Sequence, residues 1–313
     1  MQLVWPDMQL PILNAEIALT SLNGLGSAVI KSLDGKLKAD ITPNGDEHLV
    51  QLSADKWTMP ASLPLLIDKA KLEMHLKDNQ LTIPEIDMEL YRGKLTGDAV
   101  LTWQVSKGVT NWKTNGRLNI TNLSLNDPTS MMSKTMHLTG NLLSDGSFSA
   151  SSKDPGQLRE RLQAYFKFKI NNGVLHGLDL VKVASLLIKQ NESGGQTQFD
   201  AFSGLLKISG RQYHLQNLNI SSGLLIATGQ VKIKPNKALD GVVAVELKNS
   251  ASLVAIPLNV SGTVNKPVIL PSKAALAGAI AGTAILGPVV GTSVGIKAAG
   301  ALDSIKELFG ADE

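Results

Sequence analysis

Apolar and polar side chains alternate along most of this chain with a period of two residues. Between 35 and 41, Leu37, Ala39 and Ile41 alternate with Lys36, Lys38 and Asp40. Side chains two apart on a strand point to one face, so such a run predicts a half-buried β-strand. Pro43-Asn44-Gly45-Asp46 supplies the next turn, because Pro presets φ and Asn-Gly tolerates positive φ. Residues 49–52 read as the return strand, and Pro60 and Pro64 mark an irregular connection, since both disfavour helix and central strand. Beyond it, Leu72, Met74 and Leu76 alternate with Lys71, Glu73, His75 and Lys77, and Asp78-Asn79 turns the chain.

The same alternation continues through Leu81 and Ile83, then Ile86, Met88 and Leu90 among Glu85, Asp87 and Glu89. After Arg92-Gly93 it runs through Leu95, Gly97, Ala99, Leu101, Trp103 and Val105. Later runs carry Phe166, Phe168 and Ile170; Leu206 and Ile208; Leu215, Leu218 and Ile220; Val231 and Ile233; Val243, Val245 and Leu247; and Val254, Ile256, Leu258 and Val260. On the order of a dozen short strands, about 8–12 residues apart with turn signals between them, predict an all-β chain.

Two stretches depart from this period. Residues 177–189 read as a helix, with Asp179 near its start, Lys189 near its end and Gly194-Gly195 as the stop. Residues 274–296 contain no charge, a span long enough to cross a bilayer. Yet the span is rich in Ala and Gly, and Gly287-Pro288 interrupts it. Gly278 and Gly282 lie four apart, as do Gly287, Gly291 and Gly295, a spacing that lets helix backbones approach closely. The favoured expectation is a tight helical hairpin packed on itself or on the sheet end; membrane contact through 274–296 is the alternative. The chain thus divides into 1–154 and 155–271, both strand-rich, and the tail 272–313.

The strand clusters also recur. Ile83, Ile86, Met88 and Gly97 align with Leu215, Leu218, Ile220 and Gly229 without a gap, at a constant offset of 132 residues. A supersecondary unit that repeats without closing on itself fits an extended, solenoid-like sheet.

Composition narrows the function. Hydrophobic residues make up 43% of the 313, but aromatics only 4%, so aliphatic side chains must form the core. A net charge of +3, with charges scattered singly, gives no field that would draw a nucleic acid. The absence of cysteine excludes disulfides and thiolate chemistry. The five histidines, His48, His75, His137, His176 and His214, show no metal-ligand spacing and read as surface residues. Gly24-Leu25-Gly26-Ser27 lacks the Lys and Ser/Thr of a phosphate loop, and no G-x-S-x-G elbow occurs. The sequons at Asn119, Asn122, Asn191, Asn219 and Asn259 follow from wet strand faces, and Glu85, Asp87 and Glu89 share one solvated face. No catalytic residue, metal site or cofactor is expected. Residues 1–11 show neither a basic n-region nor an apolar h-region, so they do not read as a secretory signal.

Four soft motifs occur in a set order. The stretch 170–180 (INNGVLHGLDL) is similar to the "dG-x-i-x-G-x-D-l" passage of the C-terminal region of the AsmA family. The stretch 197–204 (TQFDAFSG) resembles its "T-x-f-x-x-l-x-g", 229–233 (GQVKI) its "G-x-g-x-i" strand, and 260–267 (VSGTVNKP) its "v-x-G-t-l-x-x-P" ending. The resemblance covers about 35–309 and is clearest beyond Ala164. It implies a periplasmic envelope protein related to TamB-like proteins, held in the inner membrane by an N-terminal helix that residues 1–11 do not supply. The implied fold is a long, curled antiparallel sheet forming a groove, with a short helix near 178–190 and the helical tail.

The implied function is non-enzymatic conduction of phospholipid between the inner and outer membranes, in support of outer-membrane biogenesis. An apolar floor beside a polar rim suffices for acyl chains and needs no chemistry. Ile83, Ile86, Met88, Leu90, Leu101, Trp103, Leu215, Leu218, Ile220, Val231, Ile233, Val243, Val245 and Leu247 are the expected lining. The alternatives are that these residues form an ordinary sandwich core, and that the protein is an envelope scaffold regulating protein targeting to the outer membrane through partner proteins. Spacing does not separate them.

Overall fold

The structure, a computed structural model, describes residues 4–5, 8–9, 13–19, 25–59, 65–185, 194–248, 255–273 and 275. β1 (Val4–Trp5) and β2 (Met8–Gln9) pair with each other. The following strands are β3 (Leu13–Leu19), β4 (Leu25–Ser32), β5 (Leu37–Asn44), β6 (Glu47–Met59), β7 (Leu65–Lys77), β8 (Gln80–Leu90), β9 (Gly93–Ser106) and β10 (Val109–Ser124). After helix α1 (Asn126–Met132) come β11 (Asn141–Ser152) and β12 (Gln163–His176). Helix α2 (Leu180–Ala184) then leads to β13 (Gln196–Ser209), β14 (Gln212–Ser221), β15 (Leu225–Ile233), β16 (Leu239–Leu247), β17 (Ile256–Thr263) and β18 (Lys266–Pro271).

β3 to β18 form one antiparallel sheet of sixteen strands whose hydrogen-bonded order is the order of the sequence. β3 and β18 do not pair, so the sheet is not closed into a barrel. The strands reach 16 residues, in β10, which is longer than the alternation alone marks out. β10 escapes a count of apolar residues because Thr114 and Gly116 occupy positions between Trp112 and Leu118. β11 escapes it for the same reason, with Ala150 in place of a large side chain.

The chain clusters into two compact units. The first comprises Met1–Met132, Leu142–Phe166 and Ile208–Gly210. Its two faces differ chemically. On one face, Gln51 pairs with Glu73, Ser53 with Lys71 and Asp55 with Lys69, and Lys69 is opposite Glu89. Lys94 bridges Asp87 at 2.9 Å, Arg117 bridges Asp98 at 3.0 Å, and His75 contacts Glu47 at 3.0 Å. These pairs, open to water and screened by it, each contribute little, but they make this face soluble. Glu73 stands opposite Glu85, an unfavourable like-charge pair, with His75 3.8 Å from Glu73. The other face holds the core of the unit: Ala54, Trp57, Ile67 and Ala70 are buried together, with Leu37, Met59, Leu65 and Met88 packed around them.

The second unit comprises Ser133–Asn141, Lys167–Lys207 and Arg211–Glu313. Its helix α2 begins at Asp179, whose carboxylate accepts the Lys182 backbone N–H at 2.9 Å. This N-cap satisfies one of the donors that a helix start leaves open. Buried Thr197 adds a second tie, accepting the Leu180 N–H at 2.9 Å and donating to the Leu178 carbonyl at 2.8 Å. Leu180, Val183 and Ala184 are buried as α2 lies against β16 and β18. The helix expected over 177–189 is therefore present from Leu180, and 186–189 lie outside the described residues. The tail expectation for 274–296 likewise falls outside them, save Ala275.

Candidate functional site

The candidate site is a face, and local backbone irregularities keep it continuous. A strict period of two would place Ile83 and Ile86 on opposite sides. They share a side because β8 bulges between them: Ile83 pairs with Ala99 and Ile86 with Gly97, so Pro84 and Glu85 together oppose Asp98. Pro84 has no N–H to offer the ladder, which suits it to a bulge. Lys56 plays a similar part in β6, where its φ of 47° marks the step that returns Trp57 to the side of Ala54.

The second unit repeats the device. Leu215 pairs with Val231 and Leu218 with Gly229, so Gln216 and Asn217 oppose Gln230. Every partner is displaced by 132 from its counterpart: Ala99 to Val231, Gly97 to Gly229, and Leu95 (opposite Met88) to Ala227 (opposite Ile220). The repeat seen in the sequence is therefore a repeat of register and bulge. On the following strands, Gly116 pairs with Ala99 and Gly241 with Val231. A Cβ on Gly116 would lie 2.3 Å from the Asp98 carbonyl oxygen, and one on Gly241 would lie 2.4 Å from that of Gln230. The residue opposite each bulge thus turns its carbonyl against a glycine of the next strand. Bulge and glycine together bend a sheet.

In the first unit, register places Ala70, Leu72, Met74, Leu81, Ile83, Ile86, Met88, Leu90, Leu95, Gly97, Ala99, Leu101, Trp103, Trp112, Thr114, Gly116, Leu118 and Ile120 on the core side, and none is charged. Ile86 and Leu90 are buried, whereas Ile83, Met88, Leu101 and Trp103 are half-buried and keep apolar surface accessible. In the second unit Leu218, Ile220 and Val245 are buried, while Leu215, Val231, Ile233, Val243 and Leu247 are half-buried. In this unit Leu225 is 1% exposed, and Val245 and Leu258 are 0% exposed. The apolar face is thus partly accessible in the first unit and fully covered at these positions in the second.

On the charged face, a depression of about 520 Å³ is lined by Lys69, Ala70, Lys71, Glu73, Pro84, Glu85, Asp87 and Glu89. Its carboxylates have lysines beside them. Among the described residues no three His, Cys, Asp or Glu side chains gather into a metal-binding group.

Sequence spacing missed one arrangement. His137 and His176, thirty-nine positions apart, stack with ring centroids 4.2 Å apart and planes 9° apart. The His176 backbone N–H donates to the His137 carbonyl at 2.9 Å, and the buried His137 Nδ1 makes no hydrogen bond. Burial, and then the proximity of His137, hold the His176 imidazole below the ordinary histidine range. A base depressed in the folded state binds its proton more readily when unfolded. Its neutral form therefore supports folding above the ordinary pKa of about 6.5, and that support fades as pH falls through it. Hydrogen exchange at the His176 amide, corrected for intrinsic rates, is expected to lose protection between pH 7 and pH 5. Equal protection at both would show that the stack does not couple to protonation.

In its first unit the antiparallel sheet sets an uncharged face against a charge-paired one. The chain belongs to the AsmA family, which residues 42–210, more than half of its length, match. AsmA proteins are associated with the cell envelope and are not known as enzymes. The match takes in the motifs at 170–180 and 197–204 and ends before those at 229–233 and 260–267. No curated protein and no solved structure matches the chain. No helix among the described residues is long and apolar enough to cross a membrane.

Proposed function

We propose that this protein holds phospholipid acyl chains on its apolar β face and conducts them along it through the periplasm, between the two membranes of the envelope, catalysing no reaction. The observation that carries this reading is the uncharged face of the first unit, half-buried at Ile83, Met88, Leu101 and Trp103. Exposed contiguous apolar surface is costly in water and marks a surface that something apolar covers. An acyl chain meets that need along its whole length, and headgroups can remain at the wet strand ends. The second reading is a scaffold that acts on outer-membrane protein assembly without carrying lipid. The full burial of Leu225, Val245 and Leu258 favours it locally, because a face already covered takes no lipid.

Purification without detergent, followed by mass spectrometry of the organic extract, separates the two. Phospholipid at near-stoichiometric level is expected, and a stable, lipid-free protein would favour the scaffold. A photo-crosslinker at Met88 should form lipid adducts, whereas one at Glu89, exposed on the charged face, should form few. Equal labelling would count against the apolar path.

A further inference from the structure

The hairpin of β9 and β10 continues beyond Trp103 and Trp112, where the apolar path ends on these strands. Its turn is Lys107-Gly108, both with positive φ (50° and 77°), the two-residue geometry that matches strand twist. On the neighbouring side, β8 begins at Gln80, opposite Thr102, and the Trp103 N–H donates to the Asn79 carbonyl at 2.9 Å. Residues 104–111 therefore run past the β7–β8 turn. Three residues of overhang at 3.4 Å each amount to about 10 Å.

Each side of the overhang carries one exposed valine, Val105 opposite Thr110 and Val109 among Gln104, Ser106 and Asn111. Trp103 and Trp112 pair across the strands and stack, with centroids 5.4 Å apart. Val105 extends their side and is 65% exposed, while Val109, opposite Ser106 on the other side, is 41% exposed. Cross-strand aromatic pairs stabilise any hairpin, so the tryptophans alone prove nothing. Two valines left exposed on opposite sides of one tip are another matter, because a partner docking flat on the sheet would cover only one of them. A medium that surrounds the tip covers both. Charge narrows the medium: Lys107 and Lys113 flank the tip and residues 99–126 hold no carboxylate, Arg117 being paired with Asp98. Tryptophan suits the boundary between headgroups and acyl chains, and lysine suits a phosphate-bearing surface.

We propose that the β9–β10 tip inserts into the interfacial layer of an anionic phospholipid surface, with Val105 and Val109 among the outer acyl carbons, the Lys107 side chain reaching back to the phosphates, and the tryptophan pair and Lys113 at the headgroup boundary. The depth matches that at which interfacial elements sit, about 5–10 Å. This contact docks the protein on a membrane and stands apart from any lipid carried on the apolar face.

The test is flotation of the full chain with vesicles of phosphatidylethanolamine and phosphatidylglycerol, against vesicles of phosphatidylcholine alone. The wild type is expected to float with the anionic vesicles. The variant V105D/V109D should float roughly tenfold less, with its circular dichroism and extracted phospholipid unchanged. Vesicles with brominated acyl chains should quench the wild-type tryptophan fluorescence, and V105D/V109D should lose that quenching. Failure of the wild type to float, equal flotation with neutral vesicles, or undiminished flotation of V105D/V109D would overturn the proposal. Absence of phospholipid from the purified protein bears only on the apolar path and leaves the flotation result intact.

Discussion

Replacing Gly97 with valine is expected to destabilise the protein by more than about 3 kcal/mol, and Gly229 with valine by a similar amount. A Cβ at Gly97 would sit 2.1 Å from the Arg117 carbonyl oxygen, and one at Gly229 would sit 2.2 Å from that of Val242. Neither neighbour is the end of a flexible side chain; both are backbone held in a ladder, Arg117 opposite Asp98 and Val242 opposite Gln230. Relief therefore requires the strands to part, which breaks hydrogen bonds beside a bulge that already interrupts pairing. Gly223, which has open space around its Cβ position, provides the contrast: Gly223→Ala should change stability by less than about 0.5 kcal/mol. Urea denaturation followed by circular dichroism reads all three. A Gly97→Val protein as stable as the wild type would show that the sheet flattens there at no cost.

Trp57→Ala should cost about 3–5 kcal/mol, the usual range for deleting a buried large aromatic. Trp57 is the one large aromatic of the cluster that joins Ala54, Ile67 and Ala70. Two of its three buried neighbours are alanines, too short to move into the vacated space, so the cavity persists and the cost falls at the upper end. Leu37, Met59, Leu65 and Met88 at the margin are the side chains placed to adapt. A midpoint shift below about 1 kcal/mol would mean that Met59 and Met88 refill the site. The measurement also bears on the apolar path, because Met88 is one of its expected lining residues.

Much of this was legible in the residues. Alternation placed Leu72, Met74, Leu81, Leu101 and Trp103 on one side and Lys71, Glu73 and Glu89 on the other, and pairing registers agree. The offset of 132 residues was visible too, but its cause was not. Ile83 and Ile86, three apart, violate the period of a flat strand, and only the bulge at Pro84-Glu85 explains how they share a face. β10 and β11 were hidden because Gly116, Thr114 and Ala150 replace large apolar side chains where adjacent strands crowd. The stacking of His137 on His176 could not be read at all, since it joins the segment before β11 to the end of β12.

Residue order alone carried a sheet with one uncharged face, a recurring strand unit and a family resemblance, of which the motifs at 170–180 and 197–204 fall within the matched residues. Those are local or near-local properties, set by the two-residue period of the strand and by short runs of residues. How much of that face stays accessible is set by tertiary packing. Burial depends on which distant elements come to lie beside a residue, and α2 lies against β16 and β18 in the second unit. Val243 and Leu101 read alike along the chain, as does fully buried Val245, and nothing in their spacing tells which of them meets cover.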